Sequence, residues 1–183
     1  MSPRPFDPRA LDVEAFAAQG GGLSGDWLQR DMPRLLSALH EGSVGVKAAV
    51  AWRAGGERTL PRGRQPQTWL RLALATHVVL TCQRCLGALD VALDVERRFG
   101  FVAGEDEAAA LDAETDDDVL ALARTLDLRE LAEDELLLAL PLGPMHDGCS
   151  PPPLPGDGAA GDALEAAAEH PFAALAALKR GAH

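Results

Sequence analysis

Four side chains in this 183-residue sequence could bind a soft metal or exchange electrons. Cys82 and Cys85 lie in the stretch Leu80-Thr81-Cys82-Gln83-Arg84-Cys85-Leu86-Gly87, and His146 and Cys149 follow far along the chain. Cys-x-x-Cys joined to His-x-x-Cys gives two ligand pairs at spacings that suit a tetrahedral zinc site. Three readings stay open. Small, partly buried thiols without a metal come first, because one of the four ligands would have to be a histidine in a flexible Pro/Gly segment. Zinc comes second. Redox work comes last, since a redox pair opens a helix in a thioredoxin-like pattern and this pair does not. No organic cofactor is expected, and the inorganic group the sequence could take is a structural zinc.

Other chemistry has little footing. Ser24, Ser37, Ser43 and Ser150 stand in no Gly-x-Ser-x-Gly setting, and the chain has no phosphate-cradling glycine loop and no His-Glu-x-x-His. His77, on the hairpin strand, reads as a surface or satisfied histidine rather than a base. The expectation is a protein that is not an enzyme.

The elements that must position the thiols are two long runs of period-two alternation. Leu70, Leu72, Leu74, Thr76, Val78 and Leu80 precede the Cys-x-x-Cys on one face, and Leu89, Val91, Leu93, Val95, Phe99 and Phe101 follow it. This predicts a long hairpin with the cysteines at its tip. Another strand is expected from Ser43 to Arg53, ended by a turn at Gly55-Gly56, with an arginine-rich loop from Arg58 to Pro66. A first helix is expected from Asp7 as N-cap with Pro8 at its first position, and a strand and short helix between Leu23 and Leu39. Asp127 and Glu130 form a capping box for a helix from Leu128 to about Ala139, stopped by Pro141, with Glu133-Asp134-Glu135 on its outer side. Residues 104–118 are rich in carboxylates and poor in bulky side chains, which predicts a mobile acidic loop. The fold class expected is α+β: an antiparallel sheet with a central hairpin, one packed amphipathic helix, the acidic loop and a C-terminal helix. Residues 1–149 form the core domain, 150–170 a Pro/Gly-rich linker and 171–183 a tail whose helix spans Pro171 to Arg180.

Charge is unevenly spread. Net charge is −11, yet Glu41 to Gly87 holds seven basic residues against two acidic ones, a net of +5. Ala88 to His170 holds four arginines against 21 carboxylates, a net of −17. Phosphate affinity comes from clustered cations, so RNA contact must be local to the basic part. Arg58, Arg62, Arg64 and Arg84 are the candidates. Trp52 and Trp69 flank the arginine loop at positions that suit core anchors. The acidic half suits a basic partner such as a ribosomal protein. Near Met1 there is no cationic start leading into an apolar run, and no apolar stretch approaches 18 residues, so a cytoplasmic protein without a membrane role is expected. The odd cysteine count argues against a disulfide framework.

Several segments together resemble the bacterial YceD family, the large ribosomal RNA subunit accumulation proteins. They are Cys82-Gln83-Arg84-Cys85; Leu126-Asp127-Leu128 with Glu133-Asp134-Glu135; Leu138-Ala139-Leu140-Pro141 with Pro144 and His146-Asp147; and Pro171-Phe172, Leu175, Leu178-Lys179-Arg180. The resemblance implies a non-enzymatic factor for synthesis, processing or accumulation of large-subunit ribosomal RNA, its partner being the RNA precursor or a basic large-subunit ribosomal protein. The chain departs from the family's pattern after the Leu-Pro motif, where Cys149 is the only cysteine, and at Ala88-Leu89, which replaces an aromatic residue. The alternative from a different class is a zinc- or thiol-dependent regulatory module with no RNA role.

Overall fold

The computed structural model describes residues 6–41, 48–60, 66–113, 115 and 117–151. Its centre is the hairpin of β3 (Gln67–Thr81) and β4 (Ala88–Val102). The two strands pair antiparallel in one unbroken register, from Thr68 opposite Phe101 to Thr81 opposite Ala88. Leu70, Leu72, Leu74, Thr76, Val78 and Leu80 are all buried, as are Leu93, Val95, Phe99 and Phe101 across from them. The expected alternation therefore sorts a core face from a solvent face. Arg97 interrupts it on β4, opposite Leu72.

Three further strands complete the sheet: β1 (Gly22–Leu28), β2 (Ala49–Thr59) and β5 (Asp118–Ala121), in the order β1-β2-β3-β4-β5. The first four form an antiparallel meander. β5 runs parallel to β4, so the sheet is mixed rather than purely antiparallel as expected. A strand that returns in the same direction needs a crossover, and α3 (Glu105–Asp112) lies in that connection. The core face is covered by α1 (Val13–Ala18), α2 (Pro33–Ala38) and α4 (Leu128–Leu138). Phe16, Leu35, Leu128, Ala132 and Leu136 join the sheet's leucines in one apolar cluster.

Several expectations are corrected. The acidic segment is not a loop throughout: Glu105 to Asp112 is helical, with Glu105, Asp106 and Glu107 in its first turn, where carboxylates suit the helix dipole. Ala108 gives it a buried contact, and Asp117 pairs with Arg98 at 2.9 Å. The first helix starts at Val13, not near Asp7, and Asp12 caps it by accepting from the Ala15 N–H at 2.9 Å. Leu11 cannot be helical because its N–H and C=O are both committed to Leu126, at 2.8 and 2.9 Å. Gly55 and Gly56 do not turn the chain; they lie within β2, which begins at Ala49 and continues to Thr59. A Cβ on Gly56 would fall 2.7–2.8 Å from the Phe16 ring and the Ala17 backbone, so glycine here lets α1 lie against the strand. The predicted helix Pro171 to Arg180, most of the linker, and the segment around Ser43 fall outside the described residues.

The acidic triplet of α4 is also corrected. Asp127 caps this helix as expected, accepting from the N–H groups of Arg129 and Glu130. Glu133 and Glu135, however, are buried rather than on an outer side. Glu133 reaches α2, whose N-cap Met32 has no side-chain acceptor. Its Oε1 accepts from the backbone N–H of Arg34 at 2.7 Å and of Leu35 at 3.0 Å. One helix thus supplies the missing cap of another. The Arg34 guanidinium bonds Glu133 and Asp134 in return. Glu135 accepts from Arg97 at 3.2 Å, which explains the arginine on the inward side of β4.

These contacts set two expectations. Glu133→Ala orphans two backbone donors and should cost about 2–3 kcal/mol, while Glu133→Gln keeps an acceptor and should cost about 1 kcal/mol. Urea denaturation of the two variants checks this, and equal losses would refute the capping role. Burial raises the Glu135 pKa above the usual 4.5, with Arg97 opposing the shift. The folded state then holds this proton more tightly, so its contribution to stability is present at low pH and declines as pH rises from 4.5 through the folded value. Glu135→Gln should flatten that part of the stability profile, read as denaturation midpoints across the acid range.

Candidate metal centre

The tip of the hairpin is a tight knuckle. After Thr81 leaves β3, the Cys82 N–H donates to the Gly87 carbonyl and the Leu86 N–H to the Cys82 carbonyl, both at 2.9 Å. Leu86 closes the turn with φ at +60°, a left-handed conformation that costs a non-glycine residue roughly 1–2 kcal/mol. The Cys82 side chain turns inward and is fully buried, while Cys85 is half-buried.

The second ligand pair is brought back by the chain that follows α4. Pro141 prevents the helix from continuing, and residues 142–149 run along the knuckle. The Gln83 N–H donates to the Pro144 carbonyl at 2.8 Å and its side-chain amide to the Leu142 carbonyl at 3.1 Å. The Arg84 guanidinium donates to the Cys149 carbonyl at 2.9 Å. Gly148 at φ +70° provides the left-handed step that presents Cys149.

The four predicted donors converge: one ligand atom from each of Cys82, Cys85, His146 and Cys149 lies within 4.8 Å of all the others. Cys82 Sγ is 3.6 Å from Cys149 Sγ, and Cys85 Sγ is 3.3 Å from His146 Nδ1. His146 Nε2 lies 2.8 Å from the Ala88 carbonyl. That carbonyl can only accept, so Nε2 carries a proton, and in the neutral ring the Nδ1 lone pair faces the cluster. A backbone acceptor that fixes the tautomer is the outer-shell arrangement of metal-bound histidines.

The electrostatics divide the thiols, favouring the anion at Cys82 and the neutral form at Cys149. Backbone N–H groups, that of Cys85 first, hold the Cys82 thiol down to about 5. The Ala88 carbonyl, followed by the Cys85 thiol, raises the His146 pKa. Burial, followed by the neighbouring cysteines, raises that of Cys149. A divalent cation would neutralise the repulsion among these sulfurs that helps hold the Cys149 proton. Three thiols and one imidazole in this arrangement can hold a metal ion, and among the described residues this is the sole such group of donors.

The arginines are placed differently. Arg58 is exposed at the end of β2, opposite Thr68, whereas Arg84 sits in the knuckle beyond Thr81. Thirteen residue steps along β3 separate these levels, roughly 40 Å at about 3.3 Å per residue. Arg62 and Arg64 lie outside the described residues. Trp52 and Trp69 are only 6% exposed. Trp52 stacks on Trp27 and Trp69 lies under the Arg98 guanidinium, so neither presents a free ring. His77 is exposed, as expected.

Gln83 and Arg84 are the site residues that spacing alone did not reveal as fasteners. Their signal was two long hydrogen-bond donors between the cysteines, facing a stretch rich in proline and glycine whose carbonyls lack secondary-structure partners.

No helix among the described residues is long and apolar enough to cross a membrane. Comparison with curated proteins and with solved structures finds no match. A family model does match, over residues 70–179. That span takes in the hairpin, α4, all four candidate ligands and most of the Pro171 to Arg180 motif, well over half of the chain. The protein therefore belongs to the YceD family, described as large ribosomal RNA subunit accumulation protein YceD.

Proposed function

We propose that this protein is a non-enzymatic, cytoplasmic ribosome-biogenesis factor. It supports synthesis, processing or accumulation of large-subunit ribosomal RNA by binding the RNA precursor or an associated basic ribosomal protein. The observation that carries this reading is the family match, which spans the hairpin, the knuckle and the returning chain. The charge division supports it, with cations concentrated between Glu41 and Gly87 and carboxylates after it. Arg58, Arg62, Arg64 and Arg84 are the RNA contacts in this reading. Because Arg58 and Arg84 stand at opposite ends of β3, an RNA touching both would run along the hairpin.

The group held by Cys82, Cys85, His146 and Cys149 is a structural zinc. With Zn–S of about 2.3 Å and Zn–N of about 2.0–2.1 Å, tetrahedral edges are about 3.8 Å for S···S and about 3.5 Å for S···N. The 3.6 and 3.3 Å separations are within a few tenths of these. All four positions are filled by protein, as in a closed structural site. When bound, the ion would neutralise the thiolates and fasten residues 142–149 to the hairpin tip.

Protein purified without chelator should carry stoichiometric zinc, and Cys85→Ser or His146→Ala should lose it. Loss of about 2–3 kcal/mol should lower the melting temperature by roughly 5–10 °C. Unchanged melting after chelation would remove the structural role.

The convergence of the four donors also favours a second reading, a zinc- or thiol-dependent regulatory module with no RNA role. Gradient sedimentation of the tagged protein, with and without ribonuclease, separates the two. Migration with large-subunit precursors that ribonuclease abolishes is expected, and Arg58→Glu should weaken it without unfolding the chain. Free protein in both conditions would favour the module.

A further inference from the structure

We infer that Cys149 and Cys82 form a peroxide-reactive pair whose disulfide replaces the metal as the fastener of the C-terminal segment. Three thiols share this site, but their surroundings differ. Cys82 is fully buried, whereas Cys149 and Cys85 are half-buried and within reach of a small oxidant. Cys85 Sγ is engaged by His146 Nδ1 at 3.3 Å. Cys149 Sγ has Cys82 Sγ as its neighbour at 3.6 Å. Bringing two sulfurs from that separation to a bond of about 2.05 Å asks each to move about 0.8 Å if they share the shift. Gly148 precedes Cys149 in a left-handed conformation, so a residue without Cβ adjoins the sulfur that must move.

The oxidant is a hydroperoxide. The Cys149 sulfur attacks the distal peroxide oxygen, the O–O bond breaks, and the thiol proton passes to the leaving alkoxide or hydroxide; Cys149 becomes a sulfenic acid. The Cys82 thiolate then attacks the Cys149 sulfur, the S–O bond breaks, and hydroxide leaves as water after protonation. The two sulfurs have lost two electrons and the hydroperoxide has gained them. Only Cys85 and His146 remain as donors, too few for the closed site, and the ion leaves. Residues 142–149 stay attached, now through a covalent bond between the hairpin tip and the returning chain. A thiol reductant reverses the exchange.

The inference rests on the zinc reading only for what is released, and the test keeps the two apart. Reduced protein is first assayed for zinc, then treated with a small excess of hydrogen peroxide in the presence of a chromogenic chelator. Disulfide-linked peptides are mapped by mass spectrometry. The expected result is stoichiometric zinc release together with a Cys82–Cys149 link, formed also in Cys85→Ser and reversed by dithiothreitol. A Cys82–Cys85 link, oxidation of Cys149 to sulfinic acid without any link, or thiols that survive intact would overturn the inference. Reduced protein without zinc would sink the zinc reading alone, since mapping the link in that protein still decides whether the pair reacts.

Discussion

The molecule depends on the register of one long hairpin. Side chains on a strand alternate with period two, so slipping β3 against β4 by one residue would turn Leu70, Leu72, Leu74, Val78 and Leu80 to solvent and bring Arg71 and His77 into the core. The unbroken pairing from Thr68 to Thr81 thus has a steep penalty against alternatives. It also fixes where the knuckle stands, because Cys82 and Cys85 occupy the point at which the paired strands reverse. The Ala88 carbonyl that orients His146 belongs to the first residue of β4. The same register that buries the core therefore sets the tautomer at the candidate metal centre.

A second layer of constraint comes from buried carboxylates. Small helices pack poorly by themselves: α2 has only six residues and its N-cap offers no side-chain acceptor. Glu133 supplies that acceptor, and Glu135 meets the arginine that breaks the apolar alternation of β4. These two residues tie α4 to α2 on one side and to the sheet on the other. α4 is in turn the element from which residues 142–149 depart toward the knuckle. Charge pairing inside the fold and metal-ligand placement outside it are thereby linked through one eleven-residue helix.

What was legible in the sequence follows from how local each signal is. Period-two runs over fifteen residues are strong because burial on one face enforces them, and an Asp N-cap before a helical apolar pattern is written within four residues. The four candidate metal ligands were readable as spacings, but their convergence was not, since it depends on a chain that goes through β4, α3, β5 and α4 before returning. Glu133 and Glu135 misled for a related reason. A carboxylate in an acidic triplet reads as solvated unless its distant partner is known, and Arg34 and Arg97 announce themselves only in three dimensions. Gly55-Gly56 misled because glycine marks both turns and close approaches. Which of these applies was decided by Phe16, some forty residues upstream. β5 and its parallel pairing had no sequence signal beyond a short apolar run inside an acidic stretch.

In the proposed RNA role, binding through one compact patch would require Arg58 and Arg84 to be neighbours, and the fifteen residues of β3 hold them apart. Arg84 is moreover partly committed, since its guanidinium donates to the Cys149 carbonyl. Its orientation therefore depends on residues 142–149 being fastened to the knuckle. If the returning chain lifts away, Arg84 loses the acceptor that aims it, and the basic charge at the hairpin tip is no longer held in one direction. The candidate metal centre and the basic tip are then two aspects of one structure, in which the fastening at Cys149 determines what the end of the hairpin presents.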